Sequence, residues 1–572
     1  MYSQNIYTIK IGGEAGQGIK STGLIFAKLA TRSGYHIYTH TEYGSLIKGG
    51  HNMMQINISK DSVTAPRLAT DFLIAFNQET INRYGGELAS GSQIVIDIDR
   101  KLDLTKIAKE VVVCQAPLSR LAREIGSNEL IANMVALGVT AALLGGDLTI
   151  LKEVIFKNFS GGEVAGDLKA AQLGYDYATK NFSKNLGTVL TSVKDAPQRM
   201  VVNGNEALAL GAIAGGLQFA AIYPMTPITG LLSVLASLQN EYGFIYKQPE
   251  DEIAAINMAI GASYAGARAL TATSGGGFCL MTEGLGLAAM AETPLVIIEG
   301  MRPGPATCLP TWTSQGDLQF VLHAHQGEFP RIVLAAGDVT EAFNLTKQAL
   351  DLASKYQTPV ILLVDKTLCE NDHSVAAAAM EDFAGLNSLS TVPVDTNYQR
   401  YAVTDSGISP RALPGSGNFF VTNSDEHNEI GFSSEEALNH VAQTKKRQQK
   451  EITCAKEDMP DPELLGPKDA DVTLVSWGSN KGAIIETLKN FDNVNFLHLT
   501  WLSPFPVEAV CDILSRSKHI IDVECNYTAQ LAALIREKTG IEISDQFLKY
   551  DGRPIYPEEI TAKIDSVLSK KL

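Results

Sequence analysis

Short apolar runs alternate along the chain with stretches in which apolar residues recur every three or four positions. At the N-terminus, a β-rich run at 6–11 leads through a glycine loop into a helical pattern at 19–33, and a second strand-like run follows at 36–41. This order of strand, loop, helix and strand is typical of doubly wound α/β domains. We therefore predict three doubly wound, mostly parallel α/β domains at 1–182, 200–395 and 468–572, joined by a linker at 183–199 and by a surface excursion with a second linker at 396–467.

A long uncharged stretch lies inside the second predicted domain, between Ala207 and Asn240. Its length would allow a transmembrane helix. However, Pro224 and Pro227 interrupt it and Thr226 makes the interruption polar, so the pattern favours a buried strand, a turn and a helix. We therefore predict that this stretch does not cross a membrane.

Composition narrows the classes of function. The chain has 572 residues, a net charge of −16 and 45% hydrophobic residues, which is ordinary for an acidic globular protein of several domains. The acidic balance disfavours nucleic acid as the main partner, because phosphate binding needs a basic patch. The seven cysteines include no Cys-x-x-Cys pair and no tight group with histidines. We therefore predict no metal or iron–sulfur site on this chain and a reducing, cytoplasmic location.

Two glycine-containing loops in the first domain suit an anionic ligand. The loop Gly12-Gly13-Glu14-Ala15-Gly16-Gln17-Gly18 precedes a predicted helix, whose first N–H groups can face a phosphate. It is not a dinucleotide-binding fingerprint, since Ser21 stands where the third glycine would be. A tight turn without a ligand is the alternative. Lys48-Gly49-Gly50 suits a phosphate or a pantetheine chain, and a surface turn explains its composition as well.

Four polar motifs cluster in the second domain. They are Tyr223-Pro224-Met225-Thr226-Pro227, the acidic helix start Glu250-Asp251-Glu252, the turn Thr273-Ser274-Gly275-Gly276-Gly277 and the loop Arg302-Pro303-Gly304-Pro305-Ala306-Thr307. Most of them follow a predicted strand, and open α/β sheets bind ligands beyond the carboxyl ends of their strands. Few charged residues interrupt this largely neutral region, so those that do are candidates for chemistry.

Taken in order, these motifs resemble the α subunit of the 2-oxoacid:ferredoxin oxidoreductases, a family that uses thiamine diphosphate. The family signature Tyr-Pro-Ile-Thr-Pro is present with Met225 in place of isoleucine. The glycine loop and Lys48-Gly49-Gly50 resemble the family's γ subunit. Residues 468–572 resemble the C-terminal domain of the α subunit through Glu524-Cys525-Asn526-Tyr527 and Gly552-Arg553-Pro554. The resemblance implies a fused γ/α subunit with a γ-type domain, a pyrimidine-binding-type domain and a transketolase C-terminal-like domain.

The resemblance also implies roles for individual residues. Glu252 would bond the N1′ atom of the thiamine aminopyrimidine, with Tyr223, Pro224 and Thr226 beside the cofactor. Arg302 and Thr226 would hold the carboxylate of a 2-oxoacid, with Thr307 assisting. Gly16, Gln17, Gly18 and Lys48 would contact coenzyme A. The alternatives are a helix-start acid for Glu252, with Glu250 and Asp251 as competing carboxylates, a surface salt bridge for Arg302 and a helix cap for Thr226.

Two motifs that the family needs are absent from this sequence, and their absence implies a partner subunit. The chain has neither the Gly-Asp-Gly…Asn motif that holds Mg²⁺ and thiamine diphosphate nor cysteines for a cluster. By resemblance, both belong to a β subunit that carries Mg²⁺ and a 4Fe–4S cluster and shares the thiamine diphosphate. The expected assembly is a dimer of αβ heterodimers that passes electrons to ferredoxin.

The implied reaction converts a 2-oxoacid and coenzyme A into acyl-CoA and CO₂, or runs in reverse. The fused layout favours 2-oxoglutarate, and hence succinyl-CoA. The alternatives are a pyruvate or broad 2-oxoacid enzyme of the same family, a thiamine diphosphate dehydrogenase with another electron acceptor, and a non-enzymatic protein that binds coenzyme A or a nucleotide.

Overall fold

The computed structural model describes residues 6–44, 49–125, 131–159, 164–380 and 392–569. Its strands form three sheets of eight, seven and five strands, each covered by helices. The α/β class predicted from the sequence is confirmed. None of the described helices combines the length and the apolar composition needed to span a lipid bilayer.

The first sheet is built largely from the N-terminal third of the chain. Its strand order is β6-β5-β4-β1-β3-β2-β14-β7. The elements up to residue 185 are β1 (Tyr7–Glu14), α1 (Ile19–Arg32), β2 (His36–Glu42), β3 (His51–Ser59), β4 (Thr70–Ala75), α2 (Gln78–Tyr84), a 3₁₀ turn (Gly85–Glu87), β5 (Leu88–Asp97), β6 (Val112–Ala116), α3 (Leu118–Glu124), α4 (Ala132–Leu143), α5 (Leu148–Asn158), α6 (Val164–Asn181) and a 3₁₀ turn (Ser183–Asn185).

The second sheet has the order β18-β12-β13-β11-β10-β8-β9 and is parallel except for β18. The elements of this part are β7 (Arg199–Asn203), α7 (Gly204–Ala214), β8 (Phe219–Ala221), α8 (Thr229–Tyr242), β9 (Ile245–Lys247), α9 (Glu252–Tyr264), β10 (Ala269–Thr273), α10 (Gly275–Met290), β11 (Leu295–Met301), α11 (Leu318–His323), β12 (Ile332–Ala335), α12 (Val339–Tyr356), β13 (Pro359–Asp365), α13 (Lys366–Glu370), β14 (Asp372–Ala376) and a 3₁₀ turn (Ala377–Met380).

The third sheet has the order β15-β17-β16-β19-β20, in which only β15 is antiparallel. The remaining elements are α14 (Ala437–Glu457), β15 (Glu463–Leu465), β16 (Val472–Trp477), α15 (Asn480–Leu488), β17 (Val494–Leu499), β18 (Trp501–Ser503), α16 (Val507–Arg516), β19 (His519–Glu524), α17 (Gln530–Thr539), β20 (Asp545–Leu548) and α18 (Pro557–Ser569).

The first sheet is mixed, which differs from the mostly parallel sheet predicted for it. Strand β3 lies between β1 and β2 and runs antiparallel to both. The connection from β2 to β3 covers only residues 43–50, whereas a parallel crossover needs about a dozen residues or more. A short connection of this kind makes a hairpin, so β3 returns alongside β2.

Sheet membership also crosses the predicted domain limits. Strands β7 and β14 follow residue 198 in the chain but extend the first sheet, and β18 follows residue 500 but joins the second. His373 of β14 is the register partner of Tyr38 in β2, and the Ile37 N–H donates to Ser374 Oγ at 2.8 Å. The domain boundaries themselves stay a prediction.

A buried ion cluster anchors α14, which lies in the predicted surface excursion. Glu292, which follows α10, is fully buried and pairs with Lys446, and its Oε2 lies 2.6 Å from Lys450 Nζ. Arg400 donates to the Glu292 carbonyl oxygen at 2.7 Å. Burial acts to raise the pKa of Glu292, but the charges of Lys450, Lys446 and Arg400 outweigh it and lower that pKa to about 2. The carboxylate is therefore charged at neutral pH and holds two buried ammonium groups.

We expect Glu292→Gln to destabilise the protein by about 3–5 kcal/mol, because two buried lysines lose their counter-charge. The shift of the urea unfolding midpoint measures this. Glu457→Gln is the control, since Glu457 is half exposed where it pairs with Lys355 and should change stability by less than about 1 kcal/mol. The Glu292 carboxylate contributes stability above its ordinary pKa of 4.5, and this contribution is lost as the pH falls through about 2. Equal midpoints for Glu292→Gln and the wild type would contradict the anchoring role.

Candidate active site

Three loops meet at the carboxyl edge of the second sheet. Strands β11, β10 and β8 are neighbours and parallel, so their C-terminal ends lie side by side. Residues 222–228 follow β8, the first turn of α10 follows β10, and 302–317 follows β11. The predicted site motifs at 223–227 and 302–307 therefore share one edge with the start of α10.

Only one of the three acids at the start of α9 is buried. Asp251 is the N-cap, and its side chain accepts the Ala254 N–H at 2.8 Å. Glu250 is exposed. Glu252 begins the helix with 3% of its surface exposed, and its Oε1 is a buried oxygen that has no hydrogen-bond partner among the described residues. Asp251 thus caps the helix, Glu250 is solvated, and Glu252 is buried with a carboxyl oxygen that lacks a partner.

The first turn of α10 packs directly on Glu252. A Cβ at Gly277 would lie 2.4 Å from Glu252 Oε1 and 2.0 Å from Thr273 Oγ1. Any side chain at Gly277 would collide with both groups, so the glycine is required for this approach. The glycine turn that follows β10 therefore fixes where the Glu252 carboxyl lies.

Arg302 and the turn at 223–227 are brought together. The Arg302 Nη1 donates to the Thr226 carbonyl oxygen at 2.9 Å, and burial lowers the pKa of this arginine. Tyr223, Pro224 and Thr226 are partly exposed at this edge. Asn205 of α7 was not predicted as a site residue. It holds the turn in place, because its Nδ2 donates to the Pro227 carbonyl oxygen at 2.9 Å. Thr226 does not cap a helix, since the N-cap of α8 is Ile228.

The loop at 302–317 is anchored to the third sheet through Gln315, which was not predicted either. The Gln315 Nε2 donates to the Trp477 carbonyl oxygen at 2.8 Å, and its Oε1 accepts from Asn480 and from the Cys525 N–H. The predicted substrate ligand Thr307 is exposed in the same loop. An amide in a polar loop gives no sequence signal of its own, because its partners lie some 160 to 210 positions later in the chain.

The glycine loop of the first sheet forms the start of α1. Gly16 and Gly18 have φ of 90° and 70°, which favours glycine, and Gly18 is the N-cap of α1 without a side-chain cap. The Gln17 side chain folds back over its own loop and accepts the Glu14 N–H at 2.8 Å. Lys48 lies outside the described residues. Thr311 Oγ1 donates to the Tyr43 carbonyl oxygen at 2.8 Å, so this edge of the first sheet contacts the loop at 302–317.

Comparisons with known proteins agree with this arrangement. A family described as pyruvate flavodoxin/ferredoxin oxidoreductase, thiamine diphosphate-binding, matches residues 210–447, and one described as pyruvate ferredoxin/flavodoxin oxidoreductase matches residues 8–177. The α subunit of a 2-oxoacid:ferredoxin oxidoreductase from Sulfolobus sp is 32% identical over 98% of this chain and 96% of its own length. The chain belongs to the 2-oxoacid:ferredoxin oxidoreductase family.

Two further relatives of this oxidoreductase subunit extend over nearly its whole length. The 2-oxoglutarate oxidoreductase subunit KorA of Mycobacterium tuberculosis is 29% identical over 99% of this chain and 92% of its own. A solved 2-oxoglutarate:ferredoxin oxidoreductase from Magnetococcus marinus, with 2-oxoglutarate, coenzyme A and succinyl-CoA bound, is 33% identical with a TM-score of 0.91 over 99% of this chain and 100% of that one. The predicted family, fold class and oxidoreductase activity are thereby confirmed. The roles of the individual residues stay predictions.

Proposed function

We propose that this chain is the fused γ/α subunit of a 2-oxoglutarate:ferredoxin oxidoreductase. Such an enzyme decarboxylates 2-oxoglutarate with coenzyme A to succinyl-CoA and CO₂ and passes two electrons to ferredoxin, or runs in reverse. The observation that carries the assignment of the site is the buried, unpartnered Oε1 of Glu252 at the edge where Arg302 meets Thr226. The choice of 2-oxoglutarate is supported by the names of the Mycobacterium and Magnetococcus relatives.

Glu252 fits the aminopyrimidine of thiamine diphosphate. A buried carboxyl oxygen without a partner costs about 1–3 kcal/mol unless a ligand completes its hydrogen bond. The N1′ atom of the aminopyrimidine supplies such a partner. When bound, thiamine diphosphate provides a carbon nucleophile for the oxo group and an electron sink for decarboxylation. Glu252 would hold the proton at N1′, and Tyr223, Pro224 and Thr226 would flank the ring.

Arg302 would bind the carboxylate next to the oxo group of the substrate. Its guanidinium is half-buried and donates through Nη1 to Thr226, which leaves other N–H groups for a carboxylate. The hydroxyl groups of Thr226 and Thr307 are the additional donors that we propose. Gly16, Gln17, Gly18 and Lys48 are proposed for coenzyme A, with the N-terminus of α1 facing an anionic group of this substrate.

The exposed sides of α9 and α10 suit a partner subunit. Ile253, Met258 and Leu280 are 48%, 43% and 49% exposed. A Cβ at Gly261 or Gly276 would meet no atom within 4 Å, so both glycines leave the surface flat and accessible. Glu283 is the one charged residue of the two helices besides the buried Glu252. We propose that a β subunit with thiamine diphosphate, Mg²⁺ and a 4Fe–4S cluster covers this apolar face, within a dimer of αβ heterodimers.

We expect Leu280→Glu to weaken association with that subunit by about 30-fold or more, because a charge would be buried in an apolar interface. Titration of labelled chain with purified partner measures the change in Kd. Leu438→Glu is the matched control, since Leu438 is 85% exposed and belongs to a different helix, α14. Equal affinity for the Leu280→Glu variant and the wild type would remove α10 from the interface.

The function is tested on the tagged chain recovered from its native cells with whatever it carries. We would measure coenzyme A-dependent reduction of a viologen dye with 2-oxoglutarate and then with pyruvate. We expect reduction that prefers 2-oxoglutarate and a smaller, iron-containing subunit in the same preparation. A preference for pyruvate would reassign the substrate. A lipoyl-linked partner would point to another electron acceptor, and tight coenzyme A binding with no partner and no turnover would support a binding protein.

A further inference from the structure

A fully buried carboxyl group that the proposed chemistry does not use lies on β11. Glu299 is 0% exposed, and no donor group of the described residues gives a hydrogen bond to either of its oxygens. Every residue of β11 is buried, and Ile297 and Met301, on the same face of the strand, belong to an apolar cluster. A charged carboxylate would be very costly in these surroundings. Burial therefore favours the protonated form of Glu299, and the O–H group of that form requires a hydrogen-bond acceptor.

Asp317 is the acceptor that the surroundings offer. Glu299 is the register partner of Thr273 on β10, and Gly275 follows Thr273 by two residues, where a Cβ would lie 2.5 Å from Asp317 Oδ2. Burial raises the pKa of Glu299 well above its ordinary value, and of the charged groups around it the Asp317 carboxyl raises it most. The other titratable groups that face Glu299 are Cys279 of α10, Asp365 at the end of β13 and Cys369 of α13. None of these described neighbours is a cation. Two carboxyl groups that face each other without a counter-ion are stable when they hold one proton between them.

The single charge of such a pair would lie against the first turn of α10. A Cβ at Gly275 would lie 2.5 Å from Asp317 Oδ2, so the helix begins directly on this carboxyl group. The N-cap Ser274 makes no side-chain cap, and its buried Oγ has no hydrogen-bond partner among the described residues. A negative charge at an uncapped helix N-terminus is stabilising. The same turn contacts Glu252 two residues later, through Gly277.

We propose that Glu299 and Asp317 form a carboxyl pair that holds one proton and positions the first turn of α10 against Glu252. This inference rests on the proposed function, because it assigns the pair a part in placing the group that contacts the cofactor. Neither residue is a catalytic residue. Loss of the shared proton would put two negative charges behind the glycine turn and displace it, and with it the carboxyl of Glu252.

The test compares Glu299→Gln and Glu299→Leu in the complex with its partner subunit, with the exposed Glu328→Gln as control. The glutamine keeps a donor towards Asp317, so we expect its kcat near neutral pH to stay within about threefold of the wild type. The leucine removes the donor and leaves Asp317 unpaired, and we expect kcat to fall about tenfold with little change in KM for the 2-oxoacid. Wild-type activity should decline at alkaline pH as the shared proton is lost, and this decline should be absent in Glu299→Gln.

Two readouts on the chain do not depend on turnover. The infrared band of protonated carboxylic acids at neutral pH should be equally intense in the wild type and in Glu328→Gln and weaker in Glu299→Gln. A carboxyl whose pKa is raised by folding contributes stability at acid pH that is lost as the pH rises towards the raised pKa. The wild type should therefore lose more of its Tm between about pH 6 and about pH 9 than Glu299→Gln does.

An infrared band and a Tm loss in Glu299→Gln that both equal those of the wild type would contradict the proposal that Glu299 and Asp317 share a proton. The same alkaline decline in Glu299→Gln as in the wild type would overturn the positioning role. If no complex reduces the dye with any 2-oxoacid, the proposed function fails, and the infrared and Tm comparison still decides whether the pair holds a proton.

Discussion

Glu252→Gln is expected to lower kcat by about 10²–10⁴-fold while leaving the assembly of the complex unchanged. The glutamine has the same shape as the glutamate, so the contacts of Gly277 and the start of α9 should persist. It cannot exchange a proton with the N1′ atom of the aminopyrimidine, which is the role proposed for the unpartnered Oε1. Single-turnover dye reduction at saturating 2-oxoglutarate and coenzyme A measures the loss.

Its matched control is Glu250→Gln. Glu250 is an exposed acid two residues earlier, and the same change of charge there should leave kcat within about twofold. Thiamine diphosphate content and subunit ratio should be equal in both variants and the wild type, so that a loss of kcat reports on chemistry and not on assembly. A near-normal kcat for Glu252→Gln would remove this residue from the proposed role.

The position of the site was predictable because its motifs follow strands. The apolar runs before Pro224 and Arg302 indicate parallel strands, and parallel strands present the residues that follow them at one edge. The structure places β8, β10 and β11 side by side, so motifs about eighty residues apart in sequence meet as Arg302 and Thr226 do. The burial of Glu252 rather than Glu250 or Asp251 was not fixed by composition, since it depends on which acid caps α9.

Residues whose partners come from another sheet were not predictable. Gln315 acts through Trp477, Asn480 and Cys525, and no local pattern indicates that these groups meet. The addition of β7 and β14 to the first sheet is likewise a long-range pairing. Glu299 did carry a signal, because it is the one charged residue in the apolar strand LVIIEGM. A lone charge in a buried strand indicates a polar partner, but only the fold identifies that partner as Asp317.

Arg302→Met is expected to lower kcat/KM for the 2-oxoacid by about 10- to 100-fold, mainly through a higher KM. A charge-assisted hydrogen bond to a carboxylate contributes about 1.5–3 kcal/mol, and methionine keeps much of the side-chain volume without the charge. The KM for coenzyme A should not change, because the glycine loop proposed for that substrate lies on another sheet. Initial rates with each substrate varied in turn separate the two constants.

Chemical rescue distinguishes a substrate ligand from a structural arginine. Arg302 also donates to the Thr226 carbonyl oxygen, so its loss could act by loosening the turn at 223–227. In Arg302→Ala, which vacates the space that methionine would fill, added guanidinium ion can pair with the substrate carboxylate, and partial recovery of kcat/KM for the 2-oxoacid is expected. Arg302→Lys should fall between the wild type and Arg302→Met, because an ammonium keeps the charge but not the planar pair of donors. An unchanged kcat/KM in Arg302→Met would exclude Arg302 from the carboxylate site, and an equal loss for both substrates without rescue would assign it to the turn alone.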